Sequence, residues 1–330
     1  MENKSYATNT VLMLIVTLGC TARCAHCCLI AAPEKANLRL TKEEMMQYIR
    51  EAHKVGTQDV VLTGGEPTVY LADLYEVMIL ARSLGMHTDL RTNAHWARSR
   101  SEALGILKYL EICGLQRLGL SYDAYHEQYI PRECVQKAIE AAQILDMELY
   151  LDWIGFETME YVTNYLGIEE SVVRAIIPPI KIGAAIELAD DYFEAIPIEE
   201  VECNSAFSQS CGASESPLLT VFPESYASCH QCCWVNPRLI YKIHGNHWLE
   251  TLKRQIAQDP AVMFLKDYGV GGLIREARVK CPEFLKSYYS HQCEACYDLL
   301  DTLFPRNSIL PWYLRELATV SPRIEVGVVG

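Results

Sequence analysis

A chain of 330 residues, 50% hydrophobic and 22% charged, has the apolar mass of a packed globular protein of one large domain or two ordinary ones. No apolar run reaches the roughly 18 residues a spanning helix needs, and the first residues lack a signal-peptide pattern, so the expectation is a cytoplasmic protein with no membrane partner. A formal net charge of −13 argues against nucleic acid as the main partner, because phosphate neutralisation takes clustered Lys and Arg.

From residue 11 to about residue 185, strand signals alternate with helix signals, the sequence form of repeated βα units around a parallel sheet. Residues 11–17 read as a continuous apolar strand. Thr41 and Glu44 have the spacing of a capping box and open a helix to about Val55. The second strand is predicted over 60–63, a helix over 71–84, the third strand over 87–92 and a helix over 101–110. The fourth strand is read at 115–121, a helix at 131–145, the fifth strand at 148–153, and a sixth at 175–182, broken by Pro178 and Pro179. Beyond this the acidic stretch 190–202 reads as an irregular connection, and 248–258 and 270–278 read as helices.

Sites gather at the carboxyl ends of parallel strands. That rule selects Asn93 after the third strand, Ser121 and Asp123 after the fourth, and Lys181 and Gly183 after the sixth. Ser121 and Asp123 read equally well as caps of the next turn. Tyr125 and His126 share their loop.

Fourteen cysteines without a secretion signal point to metal rather than disulfides. Cys113 and Cys134 stand apart on predicted helices, as buried small hydrophobes. Cys20, Cys24 and Cys27 follow the first strand and can hold three irons of a cubane cluster, leaving the fourth open to a chelating ligand; a zinc site satisfies the same spacing. After the second strand come Gly64, Gly65, Glu66 and Pro67. Glycines let backbone approach a ligand and a carboxylate suits an ammonium, although the same residues also make a plain turn.

The three cysteines together with Gly64, Gly65 and Glu66 resemble the radical S-adenosylmethionine (SAM) superfamily. The resemblance implies an α/β chain with a partial (β/α)6 TIM-like barrel over 1–188 and a C-terminal auxiliary-cluster region over 189–330. It implies a [4Fe–4S] cluster on Cys20, Cys24 and Cys27, and SAM held by Gly64, Gly65, Glu66, Asn93, Ser121, Asp123, Lys181 and Gly183. His26 stands where the family commonly has an aromatic residue against the adenine. Cys28 is read as a packing residue.

Among the late cysteines, Cys293 and Cys296 suit two corners of a metal centre that two upstream thiolates would close. The expected ligands of an auxiliary [4Fe–4S] cluster are Cys211, Cys232, Cys293 and Cys296, with Cys229 as the alternative to Cys232 and a zinc ribbon as the alternative centre. Cys233 is then left over. Its thiol can return a hydrogen atom to a carbon radical from the face opposite abstraction, which makes it the expected catalytic residue. The segments 24–28, 121–126, 182–185 and 290–296, with the Cys232 and Cys233 doublet, resemble radical SAM peptide epimerases. That implies L-to-D inversion in a ribosomal peptide, with an electron donor such as flavodoxin or ferredoxin. The rival readings are an oxidative cross-linking maturase, a sugar epimerase, and a non-catalytic iron–sulfur or zinc module.

Overall fold

Six strands lie side by side in chain order: β1 (Val11–Thr17), β2 (Asp59–Gly64), β3 (His87–Thr92), β4 (Leu115–Ser121), β5 (Glu148–Ile154) and β6 (Val173–Ile177). All five pairings between them are parallel. Parallel neighbours need a crossover, and helices supply each one. These are α1 (Lys42–Lys54), α2 (Leu71–Ser83), α3 (Arg100–Cys113), α4 (Ala124–Glu127) with α5 (Arg132–Ile144), and α6 (Met159–Leu166). The computed structural model describes residues 11–204, 218–230 and 236–305. Cys211, Cys232 and Cys233 lie outside them, as does the side chain of Cys229.

The capping box at α1 forms as the sequence predicts. Thr41 Oγ1 accepts the Glu44 N–H at 3.2 Å, and Glu44 Oε2 accepts the Thr41 N–H at 2.8 Å. One face of the sheet packs under the helices, where Leu12, Leu14, Leu62, Leu90, Leu118 and Leu151 are fully buried; Cys113 and Cys134 join this core as small apolar groups. The other face is concave. In a flat sheet β6 would stand about 24 Å from β1, five strand spacings away. Yet Ala184, just beyond β6, donates its N–H to the carbonyl of Cys27, just beyond β1, at 3.1 Å. The sheet therefore curls into a partial barrel, and the loops after β1 and β6 meet at its carboxyl end.

Several elements differ from the sequence expectation. β6 stops at Ile177, because Pro178 and Pro179 have no N–H to give a ladder. On the far side of β1 the strand Leu218–Phe222 pairs in parallel, followed by the antiparallel strands Tyr226–His230 and Tyr241–Lys242. The acidic stretch ends in a helix, Ile198–Asn204. The helix expected over 270–278 is the second half of Pro260–Lys280, kinked at Gly269 with φ 64°. It packs with Gln292–Leu303 around Leu265, Leu273, Ile274, Leu299 and Leu300. Beneath it Arg238 and Asp259 form a buried bidentate pair at 2.7 and 2.8 Å. No helix among the described residues is long and apolar enough to cross a membrane.

Candidate active site

The loop after β1 closes on itself, with Cys20 N–H donating to Ala32 at 3.2 Å and Ala32 N–H donating to Leu18 at 3.1 Å. Its thiols meet donors: Ala22 N–H points at Cys20 Sγ at 3.4 Å, Ala31 N–H at Cys27 Sγ at 3.5 Å, and Asn93 Nδ2 at Cys20 Sγ at 3.8 Å. Burial pushes the Cys20 thiol up to about 12 and raises Cys27 as well. Sulfurs that receive N–H bonds, but are too buried to ionise alone, suit a cationic metal centre that supplies the missing charge. Cys20 and Cys27 thus fit the cluster expected of them, and buried Cys24 lies close enough to interact electrostatically with both.

Gly64 and Gly65 owe their identity to backbone contacts within the chain. Gly64 has φ +135°, and a Cβ on Gly65 would lie 2.1 Å from the Gly19 carbonyl. In the space so kept, Gly65 N–H donates to Thr17 at 2.7 Å and Glu66 N–H to Gly19 at 2.8 Å, clamping the end of β2 to the cysteine loop. The Glu66 carboxylate is fully buried. Its Oε1 accepts from Thr68 N–H, Thr68 Oγ1 and Thr92 Oγ1, and its Oε2 accepts the Asn93 N–H. Thr68 and Thr92 were not foreseen from the sequence. Nothing local marks a threonine as the partner of a carboxylate one strand away.

Asp123 is also fully buried, and caps α4 by accepting the N–H groups of Tyr125 and His126 at 2.9 and 3.0 Å. Both flanking imidazoles reach it, His126 Nδ1 at 3.0 Å and His26 Nε2 at 3.4 Å. Burial opposes a charge on His126, but Asp123 beside it prevails and holds its pKa well above the ordinary value; burial pushes His26 down to about 4. His26 also packs on Tyr125, with ring centroids 4.7 Å apart. Cys24 Sγ and ring nitrogens of His26 and His126 lie within 4.8 Å of one another, so this polar group abuts the cluster loop. Ser121 lies at the end of β4, half-buried.

Beyond β6, Lys181 turns its ammonium to Asp190, while its N–H donates to Ser290 Oγ at 3.0 Å. Gly183 has φ +60°, and a Cβ there would lie 2.6 Å from the Cys27 carbonyl. Cys293 lies in the first turn of Gln292–Leu303, where His291 Nδ1 accepts its N–H at 3.1 Å, and Cys296 lies three residues further along the same helix. Cys28 and Cys293 both pack against Ile180, Ile182 and Tyr297, so Cys293 approaches the first loop, while Cys296 packs against the core of the C-terminal helices.

The concave face is apolar along β1 and β2, with Met13, Ile15 and Val61, and charged along β3 to β6. Tyr150 Oη donates to Asp89 at 2.9 Å, crossing Gly119, where a Cβ would strike its ring at 2.4 Å. Arg174 lies 3.9 Å over the Tyr150 ring and donates through Nε to Asp152 at 2.8 Å. Arg117 Nε donates to Glu148 at 2.7 Å. A separate open depression of about 540 Å³ lies over α5 and α6, lined by Arg132, Tyr161 and Tyr165; none of the predicted site residues borders it.

Over 192 residues the chain is 25% identical to the peptide biosynthesis protein YydG of Bacillus subtilis, a match covering 56% of this chain and 57% of that one. It is 24% identical over 219 residues to GTP 3',8-cyclase of Campylobacter lari, covering 66% and 63%. It is 28% identical over 91 residues to PqqA peptide cyclase of Bradyrhizobium diazoefficiens, covering 28% and 24%. Each match spans less than two thirds of the relative's own length. Among solved structures, native anSMEcpe with bound AdoMet superposes with a TM-score of 0.49 at 13% identity, covering 91% of this chain and 98% of that one. The Radical SAM superfamily profile matches residues 14–148, the segment that carries both the three-cysteine loop and its Gly64–Glu66 clamp. Residues 14–148 thus match the radical SAM superfamily, which works with S-adenosylmethionine and a [4Fe–4S] cluster.

Proposed function

We propose that this enzyme modifies a ribosomal peptide by inverting L-residues to D-residues, with residues 1–188 as the catalytic unit and 189–330 carrying an auxiliary [4Fe–4S] cluster. The observation that carries this reading is the packing of Cys293 with Cys28 against Ile182, which brings one thiol of the late pair to the first cysteine loop. Residues three apart on a helix share a face, so Cys293 and Cys296 present their sulfurs together. Asn236 Nδ2 donates to Cys296 Sγ at 3.7 Å, the kind of N–H bond a ligating thiolate uses. Cys211 and Cys232 complete the proposed ligand set, with Cys229 as the alternative to Cys232. The similarity to a peptide biosynthesis protein and to a peptide cyclase supports a peptide substrate.

When bound, the first cluster supplies the electron that cleaves SAM to the radical that removes a Cα hydrogen. Cys20, Cys24 and Cys27 hold that cluster, and the segment Gly64–Glu66 with Asn93 fixes the loop against the ends of β2 and β3. In this reading Gly64, Gly65, Glu66, Asn93, Ser121, Asp123, Lys181 and Gly183 form the surroundings of SAM. Cys233 gives its thiol hydrogen to the opposite face of the flattened carbon. The S–H bond breaks as the new C–H bond forms, and the sulfur takes up an electron and a proton before the next turnover. A flavodoxin or ferredoxin is the proposed electron source.

The test is turnover of a peptide encoded beside the gene by anaerobically reconstituted enzyme in D2O with SAM and a reductant. Inversion predicts one Cα deuterium and a D-residue in the product, and loss of inversion in Cys233→Ala. A product lighter by two hydrogens makes the enzyme an oxidative cross-linker and removes the role of Cys233.

A further inference from the structure

We propose that Arg91 is the docking point for a carboxylate of the substrate. The inference rests on the reading of the chain as a peptide-modifying enzyme, and names a feature its peptide must carry. The concave face holds three guanidiniums, from β3, β4 and β6. Two are committed. Arg117 reaches Glu148 at 2.7 Å and Asp89 at 3.8 Å, and Arg174 is held by Asp152 and the Tyr150 ring. The third, Arg91, is half-buried, and its Nε is shielded from solvent with no hydrogen-bond partner among the described residues. A guanidinium cannot shed its charge, and a buried N–H left without an acceptor is costly. Asp89, whose carboxyl feels the Arg91 charge, accepts the Tyr150 hydroxyl at 3.1 and 2.9 Å but makes no hydrogen bond to Arg91.

The position of Arg91 gives its vacant donors a purpose. Side chains alternate along a strand, so Asp89 and Arg91 share the concave face, and Asn93 follows one residue past the strand end. Asn93 touches Cys20 Sγ, which places Arg91 one pleat repeat, about 7 Å, further down the same face. On the β2 side Val61 is opposite Asp89, and Thr63, next in that register beside Arg91, makes no hydrogen bond to it; on the β4 side Arg91 is opposite Gly119, which brings no side chain of its own. No described residue supplies the acceptor, and in this proposal a bound molecule does. A planar fork of donors matches a carboxylate in bidentate fashion, and with Asp89 nearby a monoanion is preferred to a doubly charged phosphate. On a peptide, that group is an Asp or Glu side chain or the C-terminus.

The experiment reads binding without turnover, on the reconstituted full-length protein with saturating SAM. The probes are acetyl-Ala-Glu-Ala-amide, acetyl-Ala-Gln-Ala-amide and acetyl-Ala-Ala-Ala with a free C-terminus, followed by saturation-transfer NMR. The expected result is that a carboxylate probe binds about tenfold more tightly than the Gln amide, and that Arg91→Gln abolishes the difference. The arm that binds identifies the side chain or the C-terminus as the source. Should Arg91→Gln fail to fold, Arg91→Lys keeps the charge without the fork and is expected to lose most of the preference. Equal binding of the Glu and Gln probes, with no preference for the free C-terminus, overturns the proposal, as does an undiminished preference in the variants. A tenfold loss of SAM affinity with peptide binding intact assigns the guanidinium to SAM and also overturns it. Because no reaction is needed, failure here leaves the epimerase reading standing, and absence of Cα deuterium in the turnover assay leaves this one standing.

Discussion

The carboxylate of Glu66 receives the backbone N–H of Asn93 at 2.8 Å, tying the end of β3 to the segment that follows β2. With Thr68 and Thr92 on its other oxygen, it joins two strand ends beneath the cysteine loop. Glu66→Ala leaves buried donors without an acceptor, and is expected to destabilise even the metal-free, SAM-free protein by about 2–4 kcal/mol. Urea unfolding of that form checks this. An unchanged midpoint would mean that the carboxylate acts only on SAM.

Gly183 and Gly167 provide a matched pair. Both have φ near +60°, at +60° and +68°, but a Cβ on Gly183 would strike the Cys27 carbonyl, whereas one on Gly167 would meet nothing within 4 Å. Gly167→Ala is expected to cost only the backbone penalty of about 1–2 kcal/mol. Gly183→Ala should cost more and displace the cysteine loop, so that reconstituted protein retains less iron per chain. Equal iron and equal melting temperatures in the two variants would count against a contact at Cys27.

Asp259 carries an acid-sensitive part of the stability. Burial pushes its pKa up, but Arg238 and the Tyr241 hydroxyl outweigh burial and hold it below the ordinary carboxylate value. A depressed folded-state pKa contributes stability above the unfolded value of about 3.9, and that contribution is lost as pH falls through the lower folded value. Asp259→Ala takes the bidentate carboxylate away from buried Arg238 and removes the cap on Ala261, with an expected cost of about 3–5 kcal/mol near neutral pH. The gap between variant and native unfolding free energies should shrink as the pH drops below about 4.

Cys27 and Cys28 are adjacent but differ in surroundings. Cys27 Sγ receives the Ala31 N–H, while Cys28 packs against Ile180, Ile182 and Tyr297. Cys28→Ala should keep its iron and lose about 1 kcal/mol of stability, whereas Cys27→Ala should lose the first cluster's visible absorbance after reconstitution. The reverse pattern would exchange the two assignments.

The bounds of β1, β3 and β4 match the ranges read from the sequence residue for residue, and the Thr41 box opens α1 where its spacing predicts. Short-range chemistry was therefore legible. The strand Leu218–Phe222 was not, because its parallel partner β1 lies far away in sequence and leaves no local mark. Helix α6 carried readable punctuation, Thr158 as N-cap and left-handed Gly167 as C-cap, but spans only two turns. The meeting of His26, Asp123 and His126 depends on how the loops after β1 and β4 converge, which no spacing encodes. The charged concave face did leave a sign. Strands buried on both sides should read as continuous apolar runs, yet Asp89, Arg91, Arg117, Tyr150 and Asp152 interrupt them at every second position or close to it.

The position of β1 between β2 and the strand Leu218–Phe222 has a bearing on how the chain is made. As synthesis proceeds, β2 to β6 can assemble on one side of β1 while its other edge stays bare until residue 218 has left the ribosome. An exposed apolar edge is a template for pairing with another chain. The nascent barrel is therefore most prone to aggregation after β6 is complete and before its last parallel partner arrives, and truncations that end between the two should be recovered as insoluble protein.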